Sequence, residues 1–533
     1  MFTGLFNTKI RKIAFFFPLA LLIPAIILLK FYSPDLTNLP KDTYSFDVAL
    51  KSIVQWMLIH FSWAFNLSSF LLVVISVALF VSPIGKVKIG GENAIPMVSK
   101  GRWFSITLCT TVAAGILFWA AAESLYHYYN PAISANIAAK SPQAIIFSLS
   151  SMFLHWSFTP YAIYTVCAIL FALSYYNLNK PFSISSMLYP LFGERVFGKT
   201  SQWVDGLVLF SLVAGMSASL GTGVLAIAGG LDMLFNIKIS QLLVGLITLS
   251  IVITFVISSA SGVNRGIALL SKINIYIFGF ICLFVFICGP TLYILDATIE
   301  GFGNYLNNFI EKSLRIGTVS NDTWSRDWSV FFFANWMTWA PITAMFLAKI
   351  SRGYTVREFI MVSLVAPSIF SIMWVGLFGS SSLYFDILSQ GEMHAILIKD
   401  GYQAVIYAIF ARLPWSILVS VLFIFATFIS FVTAADSNTD AMSRICSADE
   451  QDRFTDKGDL DKSTILMKIL WGSIIGLITW IMVGGSGIEG VKTLSYLGGF
   501  PALVLIILVV ITMFKILFLP KSKRLFRSAV ASK

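Results

Sequence analysis

Apolar runs of about 20 residues, parted by short polar connections, recur along the whole chain. A helix of that length crosses the hydrocarbon of a bilayer, about 30 Å thick. The pattern predicts about twelve spans, near residues 12–32, 53–82, 103–129, 145–175, 203–231, 239–259, 268–295, 328–350, 358–386, 413–435, 465–484 and 496–519. The fold class is therefore an all-α integral membrane protein with about 12 transmembrane helices. The connections alternate in charge. Lys9, Arg11 and Lys12 precede the first span, and Lys86, Lys88, Lys100 and Arg102 follow the second. Lys349, Arg352 and Arg357 follow the eighth, and Lys521, Lys523, Arg524 and Arg527 follow the twelfth. Asp35, Asp42, Asp47, Asp296, Glu300, Asp386 and Glu392 fall on the opposite side. Basic connections stay in the cytoplasm, so both termini are expected there, in an inner (plasma) membrane protein.

Composition agrees. The 533 residues are 57% hydrophobic and 12% charged, whereas soluble domains carry about 25% charged residues. No stretch is polar enough to form a separate soluble domain. The net charge of +11 does not imply nucleic acid, because the basic residues sit in short connections facing an anionic leaflet. The first run, "IAFFFPLALLIPAIILL", lacks a clean cleavage site and reads as a retained helix. Of Cys109, Cys167, Cys282, Cys288 and Cys446, four lie in apolar runs and none form a CxxC, so reduced thiols are expected. Residues 297–327 carry Phe302, Tyr305, Phe309 and Leu314 and read as an amphipathic helix at the outer interface. Residues 447–463 read as a solvated linker, and the basic end as a topogenic flank.

Two segments suggest interrupted winding. Irregular backbone survives at membrane depth only where it lines a cavity or is buried in protein. "CTTVAAGILFWAAAES", residues 109–124, has a Thr/Ala/Gly middle and ends near Glu123. Close packing through small residues is the plainer reading of that segment. "ANWMTWAPITAMFLAKISRG", residues 334–353, contains Pro341, which removes one donor and frees a carbonyl near Met337, with Thr338 at hand to satisfy that region. These segments open two groups of five spans, three to seven and eight to twelve, the arrangement of an inverted five-plus-five repeat.

Aromatic residues gather beside the breaks. Trp336 and Trp339 are three apart and share a helix face. Trp328 reads as an interfacial anchor. "LHWSFTPYAIYT" supplies Trp156, Tyr161 and Tyr164, with Pro160 as a candidate kink. A desolvated cation over an aromatic face gains about 2 kcal/mol or more. Quaternary ammonium suits such a box because it donates no conventional hydrogen bond. Ordinary core packing is the alternative for any single ring.

The chain resembles the betaine/carnitine/choline transporter family on "NWMTWAPITAMFLAKISRGYTVREF", with support from "HWSFTPYAIY", "FWAAAES", "SGVNRG", "GPTLYIL" and "FVTAADSNT". The resemblance implies a LeuT-type core preceded by two extra helices, alternating access, and often a homotrimer. The expected units are 1–102 with two peripheral helices, 103–295 and 328–519 as the two repeats, 296–327 as the outer amphipathic segment, and 520–533 as a short tail. Trp156, Tyr161, Tyr164 and Trp336 would form the central box. Trp339 would meet substrate on the cytoplasmic pathway. Thr111 to Gly115, including Ala113 and Ala114, would set backbone groups near a substrate carboxylate or a coupling ion.

Departures refine this expectation. The family often has Trp where this chain has Tyr161 and Asn335, so the cage is more polar. The Gly-rich pattern of betaine carriers is here Thr111-Val112-Ala113-Ala114-Gly115, closer to the carnitine exchanger branch. Choline carriers are similar to one another in having an acidic residue where this chain has Gly115. Its absence favours a zwitterion over a bare cation. The Thr-Ser pair of sodium-coupled members is Thr433-Ala434 here. Ser430, Thr433 and the carbonyls of Cys109 and Val112 are the candidate Na+ ligands, with no other cofactor expected. Na+-independent carriage of carnitine- or choline-type substrates is the alternative, with Lys272 as a built-in cation or simply a snorkelling residue.

The remaining charged and titratable residues have two readings each. His155 is a packing element or a proton relay. Asp436 is functional or paired with a residue such as Arg352. A membrane enzyme is not expected, because the only histidines are at 60, 127, 155 and 394 and neither HExxH nor GxSxG occurs. A sensing receptor would need a signalling domain, and the sequence holds no polar stretch of that size.

Overall fold

A chain immersed in hydrocarbon must pair its own backbone groups, and a helix does so within one segment. The computed structural model describes residues 10–31, 46–111, 115–260, 264–447 and 462–518. Among these, the only β contacts are two isolated bridges, Ile10 with Ser447 and Lys88 with Thr355. The α-helices of ten residues or more are α1 (Lys12–Phe31), α2 (Phe46–Val81), α3 (Lys100–Thr111), α4 (Ile116–Tyr129), α5 (Pro142–Trp156), α6 (Phe158–Ala172), α7 (Lys199–Phe235) and α8 (Gln241–Ala260). There follow α9 (Asn264–Cys288), α10 (Thr291–Asn307), α11 (Phe331–Ile350), α12 (Ala366–Leu388), α13 (Tyr402–Ala411), α14 (Ser416–Cys446) and α15 (Lys462–Phe518). Local chemistry sets several starts. Ser141 caps α5 by accepting from the Ala144 N–H, with Pro142 at the first helical position. Thr355 and Glu358 form a capping box before α12.

The twelve expected stretches lie largely on helix, but the helix divides differently. Among the described residues, seven helices are long and apolar enough to cross a membrane, or eight if one bent pair counts as a span. The bent pair is the expected seventh span. It turns through 104° at Gly289–Pro290, between Lys272–Cys288 and Thr291–Asn307. The amphipathic helix expected from residue 297 thus begins at Thr291. Spans eleven and twelve fall in one run, Ile465–Phe518, interrupted at Gly487, whose backbone is left-handed (φ 55°, ψ −129°). Only glycine takes that conformation at little cost.

Two expectations about backbone breaks need correction. α11 runs through Pro341 without interruption. The irregularity in that span is a wide π-type turn at Arg326–Val330, at its entry. The Thr338 hydroxyl accordingly donates to the Asn335 carbonyl at 2.6 Å and not to a freed Met337 carbonyl. In span four the break lies at Ser157 (φ −118°, ψ −117°), not at Pro160. Pro160 occupies the first turn of α6, where a missing N–H costs little.

α11 packs between α6 and α15, while α4 lies between α5 and α12. Small residues permit the first contact. A Cβ at Gly499 of α15 would sit 2.5 Å from the Ala334 Cβ and 2.7 Å from its Cα. Large apolar side chains on the outside, such as Ile53, Trp56, Ile59, Trp63 and Val77 of α2, are at least half exposed and suit a lipid face.

Gly499→Ala presses a methyl group against backbone that has no room to retreat. The expected cost is about 1–3 kcal/mol, seen as a lower midpoint of thermal unfolding in detergent. An unchanged midpoint would show that α11 and α15 sit farther apart.

Candidate functional site

The last carbonyls of a helix have no partner within it. The break at Ser157 therefore leaves His155 at the end of α5 with a carbonyl to offer. Trp336 of α11 takes it, its indole N–H donating to the His155 carbonyl at 3.0 Å. This bond fixes Trp336 at the centre of a ring cluster. Trp156 meets it edge-on at 5.8 Å between centroids, Tyr161 at 5.6 Å and Tyr164 at 5.3 Å.

A cavity of about 1120 Å³ opens beside these rings. Trp156, Tyr164, Asn335, Trp336, Trp339 and Gly115 line it. Tyr161 does not. It is buried, with its hydroxyl 2.8 Å from Ser371 Oγ, and it buttresses Trp336. Asn335 Oδ1 accepts from Ser495 Oγ at 3.3 Å. Gly115 stands before α4, and a Cβ there would lie 3.6 Å from the Trp156 ring and 3.9 Å from Trp119. These are ordinary contact distances, so a side chain at this position would project between two indoles. Ala113 and Ala114 lie outside the described residues.

The cavity continues to a charged end. Arg11 pairs with Asp205, Lys468 with Asp436 at 2.8 Å, and Arg444 with Asp440 at 2.7 Å. All six residues line the wall. Asp436 thus meets Lys468 of α15, not Arg352. Ser430 and Thr433 also line the cavity, ahead of Asp436 and Asp440 on α14. Thr433 donates to the carbonyls of Ile429 and Ser430, both at 3.0 Å, which leaves its oxygen lone pairs available. Ser430 Oγ accepts from Asn274 Nδ2 at 2.8 Å. Lys272 is exposed and does not line the cavity. Of the other candidate ion ligands, Cys109 falls in the last turn of α3 and Val112 lies outside the described residues.

Sequence reasoning missed several neighbours. Trp119, Phe331 and Trp374 also line the cavity. Trp119 lies one turn past Gly115 in a segment already singled out. Trp328 is not an interfacial anchor. It is 1% exposed and packs on Tyr126, His127 and Trp119 at 4.5, 4.7 and 5.8 Å. The connection ahead of α11 is tied down as well. Asp322 accepts from the Ser134 N–H and hydroxyl and from the Trp324 N–H. Burial works to raise its carboxyl, yet these bonds and the Arg315 charge hold it below the usual carboxylate range.

Comparison with known proteins bears on this geometry. A family model described as the betaine/carnitine/choline family transporter matches residues 20–521. An ectoine/hydroxyectoine transporter of Virgibacillus pantothenticus is 30% identical over 87% of this chain and 90% of that protein. The glycine betaine transporter OpuD of Bacillus subtilis is 29% identical over 88% of each. An osmo-dependent choline transporter of Acinetobacter baylyi is 28% identical over 91% of this chain and 69% of that protein.

Trp336→Phe keeps the ring but strands the His155 carbonyl. The expected loss is about 1–3 kcal/mol, read as a lower thermal midpoint in detergent. A midpoint equal to wild type would mean that the bond contributes nothing.

Proposed function

Because this chain belongs to the betaine/carnitine/choline family of transporters, we propose that it imports a quaternary-ammonium zwitterion, glycine betaine or a similar compatible solute, by alternating access and with Na+. The observation that carries this reading is the convergence of Trp156, Tyr161 and Tyr164 on Trp336 beside a cavity. A trimethylammonium group sheds water readily and offers no N–H, so ring faces are its natural hosts.

The wall chemistry favours a zwitterion over a bare cation. The wall carboxylates named above are matched by basic partners on the same wall. Gly115 adds no charge beside the indoles. A substrate carrying its own carboxylate needs no such charge. Backbone groups at the start of α4, where a helix presents N–H donors, suit that carboxylate.

Two observations support Na+ over a built-in cation. Thr433 and Ser430 present oxygen atoms on the cavity wall, and Lys272 stays outside it. The family frame further suggests twelve spans with two inverted five-helix halves and a homotrimer in the plasma membrane. With both termini in the cytoplasm, the part of the cavity lined by Arg11 and Arg444 is its cytoplasmic side.

Trp336→Ala removes a desolvated cation–π contact of about 2 kcal/mol, so betaine uptake into proteoliposomes should weaken about 30-fold. Unchanged uptake would contradict the cage. Replacing Na+ by K+ outside the vesicles should stop accumulation; equal accumulation would favour exchange. Gly115→Asp should shift preference from betaine toward choline, measured as the ratio of the two uptake rates. A ratio that stays put would contradict the zwitterion argument.

A further inference from the structure

The second cage indole is anchored differently from the first. Trp156 donates its N–H to Glu123 Oε2 at 2.8 Å. Glu123, on α4, is fully buried and does not line the cavity. Its other oxygen faces two imidazoles, His155 Nδ1 at 2.6 Å and His127 Nε2 at 3.2 Å, and both histidines are fully buried. An indole nitrogen can only donate. The Trp324 indole lies 3.2 Å from His127 Nδ1, so that nitrogen is the acceptor and His127 carries its proton on Nε2, toward Glu123. His155 Nε2 lies 2.9 Å from Ser329 Oγ in the wide turn before α11. The carboxyl group thus accepts three N–H donors.

Glu123, His127 and His155 also have the residue types of a metal site, with ligand atoms within 4.8 Å of one another. The spacing argues otherwise. Two ligands at about 2.0–2.1 Å from a tetrahedral ion stand roughly 3.3 Å apart. The 2.6 Å between His155 Nδ1 and Glu123 Oε1 is a charge-assisted hydrogen bond.

We propose that Glu123 is a positioning residue for substrate recognition: its carboxylate, held by His127 and His155, fixes the Trp156 indole and enriches its π face toward the cationic headgroup. The hub joins the three parts that build the cage. α4 supplies Glu123 and His127, α5 supplies His155 and Trp156, and the entry to α11 supplies Ser329 and Trp324. A hydrogen bond to a carboxylate pushes electron density into the indole, and cation–π attraction grows with that density. Glutamine cannot replace it, because a carboxamide has one acceptor oxygen and sets an NH2 group against the other donors.

This inference rests on the betaine reading for its transport assay, and a second readout frees it from that dependence. KM and Vmax for glycine betaine are measured in proteoliposomes for wild type, E123Q, W156F and the double variant. E123Q should raise KM at least tenfold with a smaller change in Vmax. In the W156F background, which lacks the indole N–H, E123Q should change KM less than twofold. An unchanged KM in E123Q, or equal losses in both backgrounds, overturns the proposal. The second readout is the indole proton resonance of ¹⁵N-tryptophan-labelled protein that vanishes in W156F. It should lie downfield of the other indoles and move upfield in E123Q, with no substrate present. A resonance indifferent to E123Q overturns the hub, as does one equivalent of zinc in the purified protein. If wild type carries no betaine yet the resonance behaves as stated, the substrate reading fails and the hub stands.

Discussion

The hydrogen bond from the Trp336 indole to the His155 carbonyl is the constraint on which the site depends. It exists because span four loses its helical path at Ser157. A continuous helix would have consumed that carbonyl internally. The adjacent residue, Trp156, turns its own N–H to Glu123. Consecutive residues at one helix end therefore anchor two indoles, one through a backbone carbonyl and one through a buried carboxylate. Rings held by directed bonds keep their faces set without a ligand present, which lowers the ordering cost of binding.

This arrangement explains how a carboxylate and two histidines come to be fully buried. A buried carboxylate is expensive unless fully paired. Glu123 has three donors, His127 on its own helix and His155 and Trp156 on α5, and the two histidines are held in turn by Trp324 and Ser329. The cavity carries its charge elsewhere, among paired residues near the ends of α14 and α15. The division leaves the rings away from the fixed charges, and attraction for an onium group is strongest where the rings and the group are desolvated.

Much of this was legible in the sequence. Hydropathy located the helices, and the segment "HWSFTPYAIY" together with Trp336 named the four clustered rings. What failed did so for physical reasons. Pro341 looked like a break, but a helix can absorb a proline when its neighbours adjust. Ser157 carried no such signal, since a serine inside an apolar run does not mark a break. Trp328 looked like an anchor because tryptophans near span ends often are, and its burial depends on partners from α4 and α13. The Glu123 hub joins residues 32 and 33 positions apart. Of its members, only the Glu123–His127 spacing of one helical turn showed in the sequence. Hydropathy alone divides the chain into twelve similar spans, whereas the glycine at 487 and the turn at Gly289–Pro290 redistribute the helix.

The central claim is that ring faces hold a positive headgroup. It is tested most directly by comparing binding of glycine betaine with that of 3,3-dimethylbutanoate, which replaces the ammonium nitrogen by carbon and keeps the shape. Isothermal titration of the purified protein should show betaine binding at least 30-fold tighter, the factor given by about 2 kcal/mol of cation–π attraction. Equal affinities would mean that the site reads size alone, and would contradict the account.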